Sequence, residues 1–116
     1  MPARVIPQFL WVEKLYRDEE RSVDFVVLDG TNPIVRNLGS TMIYHVVSGE
    51  GQFSVGERIE QVSAGDRVMI EAGMAYQDSG ENLRMLAIGE PPHSPLLEQK
   101  LIKPDGAVYE LGWSDY

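Results

Sequence analysis

Thr41–Glu57, TMIYHVVSGEGQFSVGE, is the stretch whose reading decides the fold. Apolar residues run through Met42, Ile43, Tyr44, Val46 and Val47 to a glycine-rich segment. Alternation resumes after it, with Phe53 and Val55 on one side and Gln52 and Ser54 on the other. A period of two belongs to an extended strand with one face in a core. The stretch therefore predicts two paired strands, Thr41–Val47 and Gly51–Val55, joined by a turn at SGEG. If Met42 faces inward, alternation turns Tyr44 and Val46 inward as well and leaves Ile43, His45 and Val47 outside.

Further strands are predicted on both sides: Asp24–Leu28, Ile34–Leu38, Arg58–Val62, Arg67–Ile70, Ala75–Asp78 and Leu83–Ile88. Turn signals separate them, in the order DGTNP, LGS, VGE, SAGD, EAG and DSGEN. Many short strands with regular punctuation, and no segment long enough for a crossover helix, predict an all-β antiparallel sandwich or barrel. Before them, Phe9, Val12 and Tyr16 in PQFLWVEKLYRDEER fall near helical spacing, which suggests a short N-terminal helix. After them, prolines stop the last strand, and the tail is expected to fold back with Leu101, Val108, Leu111 and Trp113 over an apolar edge.

The totals narrow the function classes. At 116 residues and 43% apolar composition the chain suits one domain, 1–116, with a real core. With no cysteine, disulfides and thiolate metal sites are excluded. Ten basic against eighteen acidic residues give a net charge of −8, which repels phosphate backbones and makes nucleic acid a poor partner. The opening MPARVIPQFLW has no secretory pattern, and no apolar run approaches the roughly 20 residues of a membrane helix. A soluble, cytoplasmic protein without a membrane partner is the expectation.

The segments SGEG, SAGDRVMIEAG and YQDSGENLRMLAI, in that order, resemble the two sequence motifs of the cupins, small jelly-roll barrels that hold a metal or small ligand in their mouth. The resemblance spans roughly 30–92, with 93–116 as a C-terminal extension weakly similar to the tail of ectoine-synthase-like cupins. It implies a jelly-roll β-barrel and, with Ile43 and Val47 outward, a homodimer. The first motif fits without a gap from Gly30 to Gly49, yet its two metal histidines fall on Arg36 and Leu38 and its glutamate on Met42. The second, started at Gly65, keeps Gly73 and puts Tyr76 at the histidine; with a turn two residues shorter, Asp78 takes the asparagine position and Met74 the histidine. Neither register supplies an imidazole. A divalent site needs three or four N, O or S donors at about 2.0–2.3 Å, so the resemblance implies no metal and no other cofactor here.

The pocket expected from this register is lined by Arg36, Leu38, Met42, Tyr44, Val68, Ile70 and Tyr76. Arg36 would offer a guanidinium fork to a small anionic ligand, and Tyr76 as acid with Asp78 as base would serve an isomerase- or lyase-like reaction. Against this stand plain core packing, and Arg36 paired with Asp78 or reaching solvent. The same residues also suit a non-catalytic binding module, and a metalloprotein would have to draw its ligands from His45, Glu50, Asp78 and His93. His45 reads as an outer-face or interface residue, and His93, in EPPHSP, as solvated.

Overall fold

A computed structural model describes residues 7–101 and 108–111 of the chain. Nine strands follow one another: β1 Pro7–Arg17, β2 Ser22–Thr31, β3 Ile34–Asn37, β4 Thr41–Val55, β5 Arg58–Ser63, β6 Arg67–Ile70, β7 Tyr76–Glu90, β8 Glu98–Leu101 and β9 Val108–Leu111. A 3₁₀ turn, Pro95–Leu97, precedes β8. All pairings are antiparallel, in the order β1-β2-β7-β3-β8-β9, with β4 joining β7 to β5 and β6. The sheet curls on itself as a jelly-roll barrel, the fold that the cupin resemblance implies.

The decisive stretch behaves differently from its prediction at one point. SGEG is no hairpin turn: β4 runs unbroken from Thr41 to Val55, and β7 likewise takes in Tyr76–Asp78 and Leu83–Ile88 of the two strands expected there. The two long strands pair over almost their whole length, with register shifts on either side of Ser48. Glycine here permits a pinch between backbones. Gly49 has φ 84°, and a Cβ on it would lie 2.1 Å from the Asn82 carbonyl oxygen. A bulge of this kind bends paired strands without ending them, which carries the sheet round a corner.

The N-terminal helix is a second correction, since Pro7–Arg17 is a strand paired with β2, Leu10 opposite Leu28 and Val12 opposite Val26. Leu10 and Val12 lean on the core while Trp11 is exposed, which is strand alternation. The four-residue spacing of Val12 and Tyr16 fits a strand's period of two as well as a helical turn, and a register shift between Lys14 and Tyr16 adds one residue before the exposed Tyr16.

The core is the inward face of β2, β4 and β7. Leu28, Val46, Phe53, Leu83 and Met85 are at most 1% exposed, and each such burial contributes about 1.5–3 kcal/mol. Met42 pairs with Ile70 and Tyr44 with Val68, all four buried. The tail does return to the barrel: β8 pairs β3, β9 pairs β8, and Leu101 is buried. Val108 and Leu111 are described through their backbone pairing, and Trp113 lies outside the described residues. Among the described residues no helix is long and apolar enough to cross a membrane.

Candidate functional site

Inward positions of β1, β2, β3, β4 and β7 leave a cavity of about 50 Å³ at one end of the core, closed by His93 and by Glu98 at the start of β8. Its apolar wall is Leu10, Val12, Val26, Val35, Met42 and Ala87; its polar wall is Asp24, Asn32, Tyr44, Tyr76, Asp78, His93 and Glu98.

The polar groups are wired together. The Tyr44 and Tyr76 hydroxyls lie 2.5 Å apart, and the Asn37 amide nitrogen donates to the Tyr76 oxygen at 3.3 Å. With that nitrogen committed, Asn37 Oδ1 accepts from His93 Nε2 at 3.1 Å, and His93 Nε2 also lies 3.3 Å from Glu98 Oε1. The His93 backbone amide donates to Ser22 Oγ at 2.9 Å, and Arg17 donates to the His93 carbonyl at 3.0 Å. A continuous buried path thus links Tyr44, Tyr76, Asn37, His93 and Glu98. Across the cavity Asn32 donates to Asp78 Oδ1 at 2.8 Å.

Burial sets the charge states. It pushes both phenols well above 10, helped for Tyr76 by the nearby Glu98 and Asp78 carboxyls, so each stays a neutral donor. Asp78 is pushed up to about 6 by burial, against the Asn32 hydrogen bond, and Glu98 raises it further. Burial also raises Asp24, opposed by the charges of Arg17 and His93.

Several expected site residues stand elsewhere. Arg36 and Leu38 face outward: Val35 and Asn37 are the inward pair of β3, Arg36 Nε donates to Gln99 Oε1 at 2.5 Å, and Leu38 is 45% exposed. Asp78 is not its partner. The physical reason is that β3 has only four residues, and its own alternation places Val35 inside, one residue out of step with the gap-free motif. Met42, Tyr44, Tyr76 and Asp78 are brought to the cavity, whereas Val68 and Ile70 pack in the core beside Met42 and Tyr44 without lining it. Met74 is exposed in a turn. His93 is not solvated but buried, because its loop folds against Gly89, where a Cβ would come within 2.9 Å of the His93 nitrogen.

Asp24, Asn37 and Glu98 were not among the expected site residues, and His93 stood there only as a ligand of the metalloprotein alternative, otherwise read as solvated. Asp24 was legible, since alternation puts it on one face with Val26 and Leu28. His93 and Glu98 were not, because what buries them is a return of the tail onto β3.

A metal of the kind many cupins hold does not fit these residues. The inward groups near the former ligand positions are the Asn37 amide, the Met42 thioether and the Tyr76 phenol; amide and phenol already bond each other, and the phenol stays protonated. Among the described residues no three His, Asp or Glu side chains are placed to hold an ion.

No family model matches the chain. The uncharacterised protein SCO3923 of Streptomyces coelicolor is 35% identical to it over 81 residues, 67% of this chain and 77% of that one. KdgF from Halomonas sp. superposes with a TM-score of 0.68 at 12% identity, over 71% of this chain and 78% of its own. The chain belongs to one family with SCO3923 and has the cupin barrel fold. Among other solved cupin-like barrels, the Streptomyces nucleoside dehydratase Pac13 superposes at 16% identity over 95% of this cupin and 100% of its own length, with a TM-score of 0.67. Pac13 is also known with uridine bound. The DMSP lyase DddQ of Ruegeria pomeroyi gives 0.64 at 15% identity, over 70% of this cupin and 46% of the lyase.

Proposed function

We propose that this cupin is a metal-independent acid–base enzyme of the lyase or isomerase type, acting on a small organic molecule whose reactive end enters the cavity beside Tyr76 and Asp78. The observation that carries the reading is the meeting, in one cavity, of a buried carboxyl with two buried phenols in contact; burial pushes the carboxyl up to about 6 and keeps the phenols neutral. Near neutral pH such a carboxylate is a competent base and a buried phenol a competent acid. In an elimination, Asp78 takes the proton from carbon while Tyr76 gives its proton to the departing hydroxide, which leaves as water. The hydrogen bonds from Asn37 and Tyr44 orient Tyr76 and stabilise the charge it acquires, against the nearby Glu98 carboxyl. Likeness in fold to a dehydratase and a lyase supports the class of reaction.

The anionic substrate expected from Arg36 loses its ground with that residue facing Gln99 outside the barrel. A second reading, a binding module without chemistry, draws on size, since about 50 Å³ is well under the roughly 300–1,000 Å³ of common ligand pockets. Solvent deuterium separates the two. Incubated with glyceraldehyde or dihydroxyacetone in D₂O, the enzyme exchanges carbon-bound hydrogen, and Asp78→Asn loses that exchange by about 10²–10⁴-fold. Exchange that is absent in the native protein, or intact in Asp78→Asn, removes the enzymatic reading.

The proposal extends to a homodimer through the outer face of β4, β5 and β6, where Val47, Ile59 and Met69 are 48%, 66% and 59% exposed. Sedimentation of the native protein as a monomer at micromolar concentration removes this part.

A further inference from the structure

The cavity wall carries an imbalance that the proposed chemistry does not use. Among the described residues, two buried side-chain polar atoms have no hydrogen-bond partner, Asp24 Oδ1 and Asn32 Oδ1. Both are acceptors, and both residues line the cavity. Asp24 is only 4% exposed and sits on β2 among Val26 and Leu28, where a carboxylate is costly to bury. Asn32, at the turn after β2, has its amide nitrogen committed to Asp78, which leaves its oxygen over. A buried acceptor left unmade costs the fold, so a pair of them in one wall is a demand for donors from outside the chain.

Charge points the same way. Among the described residues, three carboxyl side chains, Asp24, Asp78 and Glu98, line the cavity, and no lysine or arginine does. The volume adds a size. A water position takes about 10–15 Å³ in a comparable measure, so about 50 Å³ admits roughly three to five non-hydrogen atoms.

We infer that the cup takes an uncharged molecule that presents at least two hydrogen-bond donors, hydroxyl or N–H, on a short polar end, one to Asp24 Oδ1 and one to Asn32 Oδ1, and that it turns away carboxylates and phosphates. A terminal diol has this shape: two adjacent hydroxyls on two carbons supply the donors and four of the admissible atoms. The acceptors select the ligand, and the neighbouring carboxyls repel its oxidised or phosphorylated counterparts. This inference rests on the reading that the cavity is the working site, and it names that site's substrate class.

The test uses matched pairs: glycerol and ribitol against glycerate and ribonate, titrated at millimolar concentration while the methyl NMR signals of Val26, Val35 and Ala87 are followed. The polyols shift these signals and saturate, and the acids bind about tenfold more weakly or not at all. Asp24→Val removes one orphaned acceptor. It lowers polyol affinity about tenfold while the melting temperature holds or rises, the opposite of what a purely structural aspartate would show. Should Asp24→Val fail to fold, Asp24→Asn keeps the size and removes the charge, and glycerate then gains at least threefold. Acids binding as well as the polyols, no saturable polyol shift because water alone meets the acceptors, or unchanged affinity in both Asp24 variants each overturn the inference. Deuterium exchange is read separately: polyol binding without exchange sinks only the enzymatic reading, and exchange without polyol preference sinks only this one.

Discussion

Two regions of the interior are equally dry and chemically opposite. Around Leu28, Val46, Phe53, Leu83 and Met85 the barrel is filled with apolar side chains at most 1% exposed. Beside it, Asn37, Tyr44, Tyr76, Asp78, His93 and Glu98 are buried to 3–7% exposure and bring two carboxyls, an imidazole, an amide and two phenols. The first region stabilises the fold by taking hydrocarbon out of water. The second costs desolvation at every group, offset only in part by the hydrogen bonds it makes. Phe53 touches both, its ring 5.1 Å from Tyr44 and stacked on Tyr76 at 6.4 Å. A polar cluster that a hydrocarbon core could replace more cheaply is what one expects of a site kept for chemistry.

The largest effect that tests this contrast is Phe53→Ala, which removes the ring joining the two regions and costs about 3–5 kcal/mol in urea unfolding. A cost of under about 1 kcal/mol would mean that the two regions are not packed as one. Next comes pH. Asp78 binds its proton more tightly folded, with a pKa of about 6 against 3.8, so between about pH 4 and pH 6 the native state holds the extra proton. Stability therefore falls as pH rises through that window, by about 3 kcal/mol in all, and levels off above it. Unfolding midpoints at pH 4.5 and pH 7 measure this, and Asp78→Asn flattens the slope, leaving the smaller part due to Asp24, whose pKa burial raises in the same direction. A native protein equally stable at both pH values contradicts the burial of an ionisable Asp78. The smallest effect belongs to Arg36→Ala. With its guanidinium on Gln99 outside the barrel, it costs about 1 kcal/mol or less and leaves ligand affinity in the cavity unchanged. A tenfold loss of affinity would return Arg36 to the site.

How far the sequence could be read followed strand length. In β4 and β7, fifteen residues each, alternation repeats often enough to group Met42 with Tyr44 and Tyr76 with Asp78, and the register of the cupin resemblance turned those groups toward the pocket. In β3, four residues reading IVRN, one residue of slip exchanges Arg36 and Leu38 for Val35 and Asn37 and reverses the chemistry from a cation to an amide. In β1 a spacing of four, shared by strand and helix, disguised a strand as a helix, and the glycines of SGEG disguised one bent strand as two.

Composition and alternation determined an all-β antiparallel sandwich or barrel, with Phe53 and Val55 on one face and Met42, Tyr44 and Val46 on one face, because a period of two is a local property that each strand carries in its own order of residues. Only the tertiary structure decided that His93 and Glu98 close the cavity against Asn37, and that Asp24 and Asn32 leave acceptors open within it. Those contacts join residues tens of positions apart, and their partners are chosen by the return of the tail onto β3, which no local periodicity encodes.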